Sequence, residues 1–233
     1  RLRSSGKHVY RDKSVCPLLK FESDSRSTEL LWSSRHRKDI KRQLRRIREM
    51  GELKLFVASS KEEILDRMSV LIDLHKNKWG MEGYTSQFFQ DEVKSFYYNL
   101  IKTMPFEFLI YSELFFGDKI VSSELGFTDD WLRCYSGTFD PDFSHYSPGK
   151  IHTRLLIDYA LDKGFRGIDF LQGNERYKYH WTDKHAVTPL IIAFKSKYSL
   201  HYIWLTKLKN IAKIIFFSVK LPLKRFITHF IRR

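Results

Sequence analysis

Residues 107–139 hold three strand-like runs with almost nothing between them, and no other stretch constrains the fold as strongly. The runs are 107–116, 119–127 and 131–139; Gly117-Asp118 joins the first two, and Thr128-Asp129-Asp130 the last two. Turns this short allow only antiparallel neighbours, so the runs predict a meander. After the third run Pro148-Gly149 opens a helix over 150–163, with Ile151, Leu155, Leu156, Tyr159 and Ala160 on one face and Gly164 as its stop. A strand at 167–171 follows, and strand, helix, strand in that succession predict a βαβ crossover.

The remaining segments fit around this frame. Ser27 or Thr28 caps a predicted helix that runs to about Met50, where Gly51 stops it, with a narrow apolar stripe of Leu31, Ile40, Leu44 and Ile47. A strand over 53–59 precedes a helix from Ser60 or Lys61 to Gly80, and a further helix over about 86–103 is closed by Pro105. After residue 171 the pattern reads as a short helix at 174–181 and a strand at 188–194. From residue 53 the order is β-α-α-β-β-β-α-β-α-β, an α/β chain with a mixed sheet. Residues 1–27, with the run ESDSRST, read as a linker or the tail of an upstream unit; residues 28–198 read as the domain and 199–233 as a tail.

The net charge of +14 is unevenly placed. Residues 35–48 contribute +7 and residues 200–233 contribute +8, so the rest of the chain is near neutral. In the tail, Lys209, Lys213, Lys220 and Lys224 fall within about 60° on a helical wheel, opposite Trp204, Leu208, Ile211, Ile215, Val219 and Phe226. A basic amphipathic helix of this kind over 204–233 suits an anionic membrane surface; a helix packed on a partner, with its lysines solvated, remains the alternative. The run at 35–48 suits an anionic glycan, lipid headgroups or a nucleotide phosphate. Nucleic acid ranks lower, because no aromatic residues are interleaved for base stacking. Cys16 and Cys134 lie far apart and show no metal-ligand spacing, so neither a metal site nor a disulfide is expected. With no run of ~20 apolar residues and no signal-peptide pattern, the expected location is cytoplasmic, at the inner face of the membrane.

Gly-containing helix starts leave backbone N–H groups free for anions. Ser147, Pro148, Gly149 and Lys150 are therefore a candidate phosphate corner, although SPG as a simple helix cap is an equal reading from spacing alone. The element order, together with TFDPDFSHYSPGK (138–150) and IDFLQGNERYKYHW (168–181), resembles the GNAT acyltransferase superfamily, and within it the CelD-like (BcsL-like) branch of acetyltransferase domains linked to cellulose and exopolysaccharide functions. LHKNKWGMEG (74–83) and the basic run at 35–49 also sit where that branch places similar segments. The resemblance covers about residues 28–198, and the related upstream half usual in that branch is largely absent.

The resemblance implies an acyl-CoA co-substrate, acetyl-CoA or a longer one. Strand 131–139 would splay from the next strand, with Gly137 and Thr138 beside the thioester and pantetheine. Ser147, Pro148, Gly149 and Lys150, helped by Lys178, would hold the diphosphate. Acyl transfer also needs a base for the nucleophile and an acid for the leaving thiolate. Glu175 and Tyr177 are favoured for these roles, being at the carboxyl end of a strand, with Tyr177 as the proton donor. Asp169 and Glu124 are further candidates, and Asp169 as a cap or an arginine partner is equally expected. The acceptor is a saccharide or amine of the cell envelope, with envelope-biosynthesis proteins as partners. A Fem-type transferase taking its donor from tRNA, and a non-catalytic scaffold at a membrane-bound polysaccharide synthase, are the rival readings.

Overall fold

The computed structural model describes residues 8–21, 32–49 and 51–194. The chain divides into two units. Ser14–Thr188 carries the fold; of the other unit, residues 8–13 and 189–194 are described, as parts of two strands. The elements are β1 (His8–Lys20), α1 (Ser34–Arg48), β2 (Leu53–Val57), α2 (Lys61–Met81), α3 (Asp91–Thr103), β3 (Leu109–Phe116), β4 (Lys119–Thr128), β5 (Leu132–Phe139), α4 (Pro148–Asp162), β6 (Gly167–Asp169) and β7 (His185–Phe194). They build a seven-stranded mixed sheet in the order β2-β3-β4-β5-β6-β1-β7.

The predicted meander is present: β2, β3, β4 and β5 pair antiparallel in succession, and α4 carries the chain over to β6, which is parallel to β5. Alternation along the strands sends successive side chains to opposite faces. On one face Tyr111 and Leu125 pack against Ile64, Met68 and Leu71 of α2 and Ile101 of α3. On the other, Ile110 and Leu132 pack with Ile40 of α1 and Leu156 and Ile157 of α4. Each such aliphatic side chain contributes about 1.5–3 kcal/mol relative to exposure. Ser60 Oγ accepts the Glu63 N–H (3.1 Å) while the Glu63 carboxylate accepts the Ser59 N–H (2.7 Å), which sets the start of α2 by reciprocal capping.

Several element boundaries differ from those expected from sequence. Part of the expected linker 1–27 is β1: Leu18, Leu19 and Lys20 pair antiparallel with Asp169, Ile168 and Gly167, so β1 lies between β6 and β7. β1 buries Cys16 and Leu19, and the next residue, Phe21, is buried too, a pattern masked in sequence by the polar stretch that follows. α1 starts at Ser34 rather than near Thr28, because Ser33 Oγ accepts the His36 N–H (3.2 Å). The helix expected over 86–103 is a 3-10 turn, Gln87–Phe89, followed by α3, and the helix at 174–181 is only a 3-10 turn, Lys178–His180. The basic tail helix of 199–233 lies outside the described residues.

Candidate active site

β5 parts from its parallel neighbour almost at once. The two pair only through Leu132 with Ile168 and Arg133 with Asp169, and β6 ends there. Against β4 the register shifts, with Gly126 facing Cys134 and Leu125 facing Ser136, so Tyr135 is an inserted bulge residue. Bulges bend a strand and sharpen its twist. The splay expected for 131–139 is therefore built from a short parallel pairing and a bulge.

Glu124 of β4 sits beside this bulge. It faces Gly137 across the ladder, and its carboxylate fills the space a Cβ on Gly137 would need. Solvent reaches part of the side chain, but Oε1 is shut off from it and has no hydrogen-bond partner. Loss of solvation pushes its pKa up to about 8; the Lys178 ammonium and the N–H groups of Ser136 and Tyr135 offset this only in part. The Cys134 thiol nearby is pushed well above its ordinary range by burial and by the charges of Glu124 and Asp169. The Tyr177 phenol, half-exposed, is likewise raised by desolvation and by Glu124, Cys134 and Glu175. Glu124, Cys134 and Tyr177 thus lie within electrostatic reach of one another, and each favours its protonated form.

Other nominated residues serve the loop after β6. Lys178 is 4% exposed, donates to the carbonyls of Leu171 (3.3 Å) and Gln172 (3.0 Å), and pairs with Glu175 at 2.9 Å. Its charge is spent on the protein, against the expectation that it meets the co-substrate. Asp169 Oδ1 accepts the Leu171 N–H (2.8 Å), and its Oδ2 lies 3.8 Å from Arg133, so the structural reading of Asp169 describes its contacts. Leu171 has φ +54°, a left-handed conformation unfavourable for a bulky residue, and the Asp169 carboxylate on its N–H and the Lys178 ammonium on its carbonyl hold it there. Glu175 is exposed and tied to Lys178.

The start of α4 is less open than its motif suggests. Ser147 has φ +56° and ψ +52°, its side chain makes no cap bond, and its carbonyl accepts the N–H groups of Lys150 (3.0 Å) and Ile151 (3.1 Å). Pro148 has no N–H to give. The Lys150 ammonium is ion-paired with Asp39 of α1. Thr138 is 3% exposed with its Oγ1 unpartnered, and its carbonyl accepts from Ser122 Oγ at 2.8 Å. His152 lies buried between the hydroxyls of Ser112 and Ser122, 2.9 Å from each. His152 is thus a satisfied core histidine. Among the aromatics around the end of α2, Phe88 is wholly core, while Trp79 stacks on His75 and touches Tyr84 at its edge.

A model of a known family, the acetyltransferase (GNAT) domain, matches residues 34–179. This chain belongs to the GNAT acetyltransferase family. It therefore carries an acyltransferase domain, whose substrate the match leaves open. The GNAT domain here resembles in fold the C-terminal DUF2156 domain of a protein described as a lysylphosphatidylglycerol synthetase from Agrobacterium fabrum (11% identity, TM-score 0.52, 86% of this chain and 65% of that one). It also resembles FemX (9%, 0.53, 82% and 63%) and L-PGS from Bacillus licheniformis (12%, 0.51, 87% and 67%). At these identities the likeness is one of fold, and the GNAT chain spans only about two thirds of each structure. No curated protein sequence matches it. Among the described residues no helix is long and apolar enough to cross a membrane.

Three features of the site escaped sequence reasoning. The bulge at Tyr135 has no marker in an otherwise regular strand. Asp39, the single acid in the basic run of α1, was itself the signal for the Lys150 pairing. The spacing of Cys134 speaks only to disulfides and metals, yet the residue sits two positions into the strand that splays.

Proposed function

We propose that this domain transfers an acyl group from a CoA thioester to an amine or hydroxyl of a cell-envelope saccharide or its precursor, at the cytoplasmic face of the membrane. One observation carries the reading: a carboxyl with a pKa near 8, Glu124, stands at the bulge of the splayed strand, where the family resemblance puts the thioester. Partly ionised at neutral pH, Glu124 takes the proton of the attacking amine or hydroxyl as the new bond to the acyl carbon forms. The carbon–sulfur bond then breaks and the thiol group leaves as thiolate. Tyr177, whose pKa is raised, is too weak an acid to surrender its proton; its phenol instead donates a hydrogen bond to the sulfur, and solvent protonates the thiolate. Ser147 and Gly149 would face the diphosphate. The saccharide class rests on the likeness of DFLQGNERYK and SPGK to the CelD-like branch.

Titration calorimetry with acetyl-CoA and longer acyl-CoAs tests the donor, and Glu124→Gln tests the base. Binding with turnover lowered by roughly 10²–10⁴ in the variant is the expected pattern. No binding of any acyl-CoA to folded protein would sink the proposal.

A Fem-type transfer from aminoacyl-tRNA is the second reading. It is favoured by the loss of the Lys150 charge to Asp39, which weakens the phosphate corner, while α1 presents exposed basic side chains from Arg35 to Arg48. Radiolabel passing to an acceptor from charged tRNA, and not from acyl-CoA, would select it.

A further inference from the structure

A second lysine stands near the start of α4, and among the described residues no carboxylate forms an ion pair with it. Lys78, in the last turn of α2, holds its ammonium 4.3 Å from the centroid of the Phe139 ring, at the end of β5. Among the described residues no hydrogen bond or ion pair ties it down. The side chain is half-buried; burial lowers its pKa, and Glu82, one turn on, counters this only in part. Lysines in a last helical turn commonly serve the helix dipole, but one that does only this keeps its ammonium in water. An ammonium drawn out of water without a counter-ion is costly, and the face of a phenyl ring offsets only part of that cost.

Phe139 shows where this charge is placed. The same ring lies 3.4 Å from the point that a Cβ on Gly149 would occupy, so Lys78 and the first turn of α4 flank one aromatic side chain. Lys150, one residue on, has already been neutralised by Asp39. We propose that Lys78, seated over Phe139, supplies the cation of a phosphate-binding site at the C-terminal end of β5. A phosphate oxygen there gives the ammonium the counter-charge it lacks. The inference rests on the acyltransferase reading only for the source of the phosphate: the diphosphate of the CoA donor, or a phosphate on the acceptor.

Calorimetry on the full chain separates these outcomes. Lys78→Met keeps the stem and removes the charge, Lys78→Gln serves if the methionine variant fails to unfold cooperatively, Lys78→Arg restores the charge, and Lys150→Met is the control. The probes are CoA, pantetheine, which lacks the diphosphate, and glucosamine 6-phosphate beside glucosamine. If the donor's diphosphate binds at Lys78, Lys78→Met weakens CoA about tenfold, spares pantetheine, and is largely rescued by arginine. Lys150→Met then costs CoA less than about threefold, as expected for a partly exposed, already paired lysine. If the phosphate belongs to the acceptor, CoA is unaffected, and glucosamine 6-phosphate weakens by a similar factor while glucosamine does not. Wild-type affinity of Lys78→Met for both phosphorylated probes overturns the proposal, as does a wild-type protein that binds neither. CoA failing to bind while the sugar phosphate still depends on Lys78 removes the acyl-CoA reading and leaves this site standing.

Discussion

The Glu124 carboxylate occupies the space that a side chain on Gly137 would fill, and the two residues face each other across β4 and β5. A glycine at 137 is what lets the acid lie along the bulged strand. In Gly137→Ala the new methyl collides with the carboxylate, which must move. The expected cost is about 1–3 kcal/mol in urea unfolding, the usual range for overpacking. Turnover should fall at least about tenfold, since proton transfer depends on the acid's position. A Gly137→Ala enzyme that is destabilised but fully active would separate Glu124 from the chemistry.

Glu124 also sets a pH dependence. Its pKa is about 8 in the folded protein and near 4.5 ordinarily, so between these values the native state keeps a proton that the unfolded chain has released. The stability this group contributes is complete below pH 4.5 and is lost as pH rises through 8. Glu124→Gln should flatten that slope and exceed the wild type in stability at pH 9. The wild-type rate should climb along a limb with its midpoint near pH 8, and the variant should lack the limb. A rate profile of the same shape in both proteins would assign the base elsewhere.

The meander could be read from sequence because each strand alternates and each turn is too short for anything but a hairpin. β1 could not, since its apolar run is short and opens on a polar stretch, and its pairing with Gly167–Asp169 spans most of the chain. SPGK and Glu124 were visible as residue types in the right order. Their chemistry was not: the raised pKa of Glu124 comes from packing around a bulge, and the charge of Lys150 is cancelled by a residue 111 positions away. Its place in the motif puts Lys178 beside a co-substrate, yet it is the carbonyls of Leu171 and Gln172 that claim it.

His152 gives a test at the acid end. Ser122 Oγ donates to the Thr138 carbonyl, so it can only accept from His152, which fixes the proton on Nδ1 and leaves Nε2 to accept the Ser112 hydroxyl. Burial lowers the pKa of His152 to about 3, and His36 and His75 fall to about 4. The unfolded chain protonates these rings near pH 6.5 while the native state refuses the proton. Stability is therefore full above pH 6.5 and declines as pH falls towards 3. Nitrogen chemical shifts of His152 should report the neutral Nδ1–H tautomer at pH 5; an imidazolium signal there would contradict the chain of bonds.

The charge pair under α2 predicts a loss of stability rather than of chemistry. Glu113 is fully buried; Arg67 Nη1 lies 2.5 Å from Oε2, and the Tyr111 hydroxyl donates to Oε1 at 2.7 Å. Burial raises the pKa of Glu113 even so, which marks how little solvent supports the charge. Removing Arg67 strands a buried carboxylate, a change that costs about 3–5 kcal/mol when both partners are buried. The Arg67 side chain is 34% exposed, so Arg67→Met should cost less, about 2–3 kcal/mol. Adding Glu113→Gln should recover part of this, because the stranded charge is then gone. Denaturant midpoints of the two single variants and the double variant measure the coupling. Strict additivity would mean that Arg67 and Glu113 stabilise the fold independently.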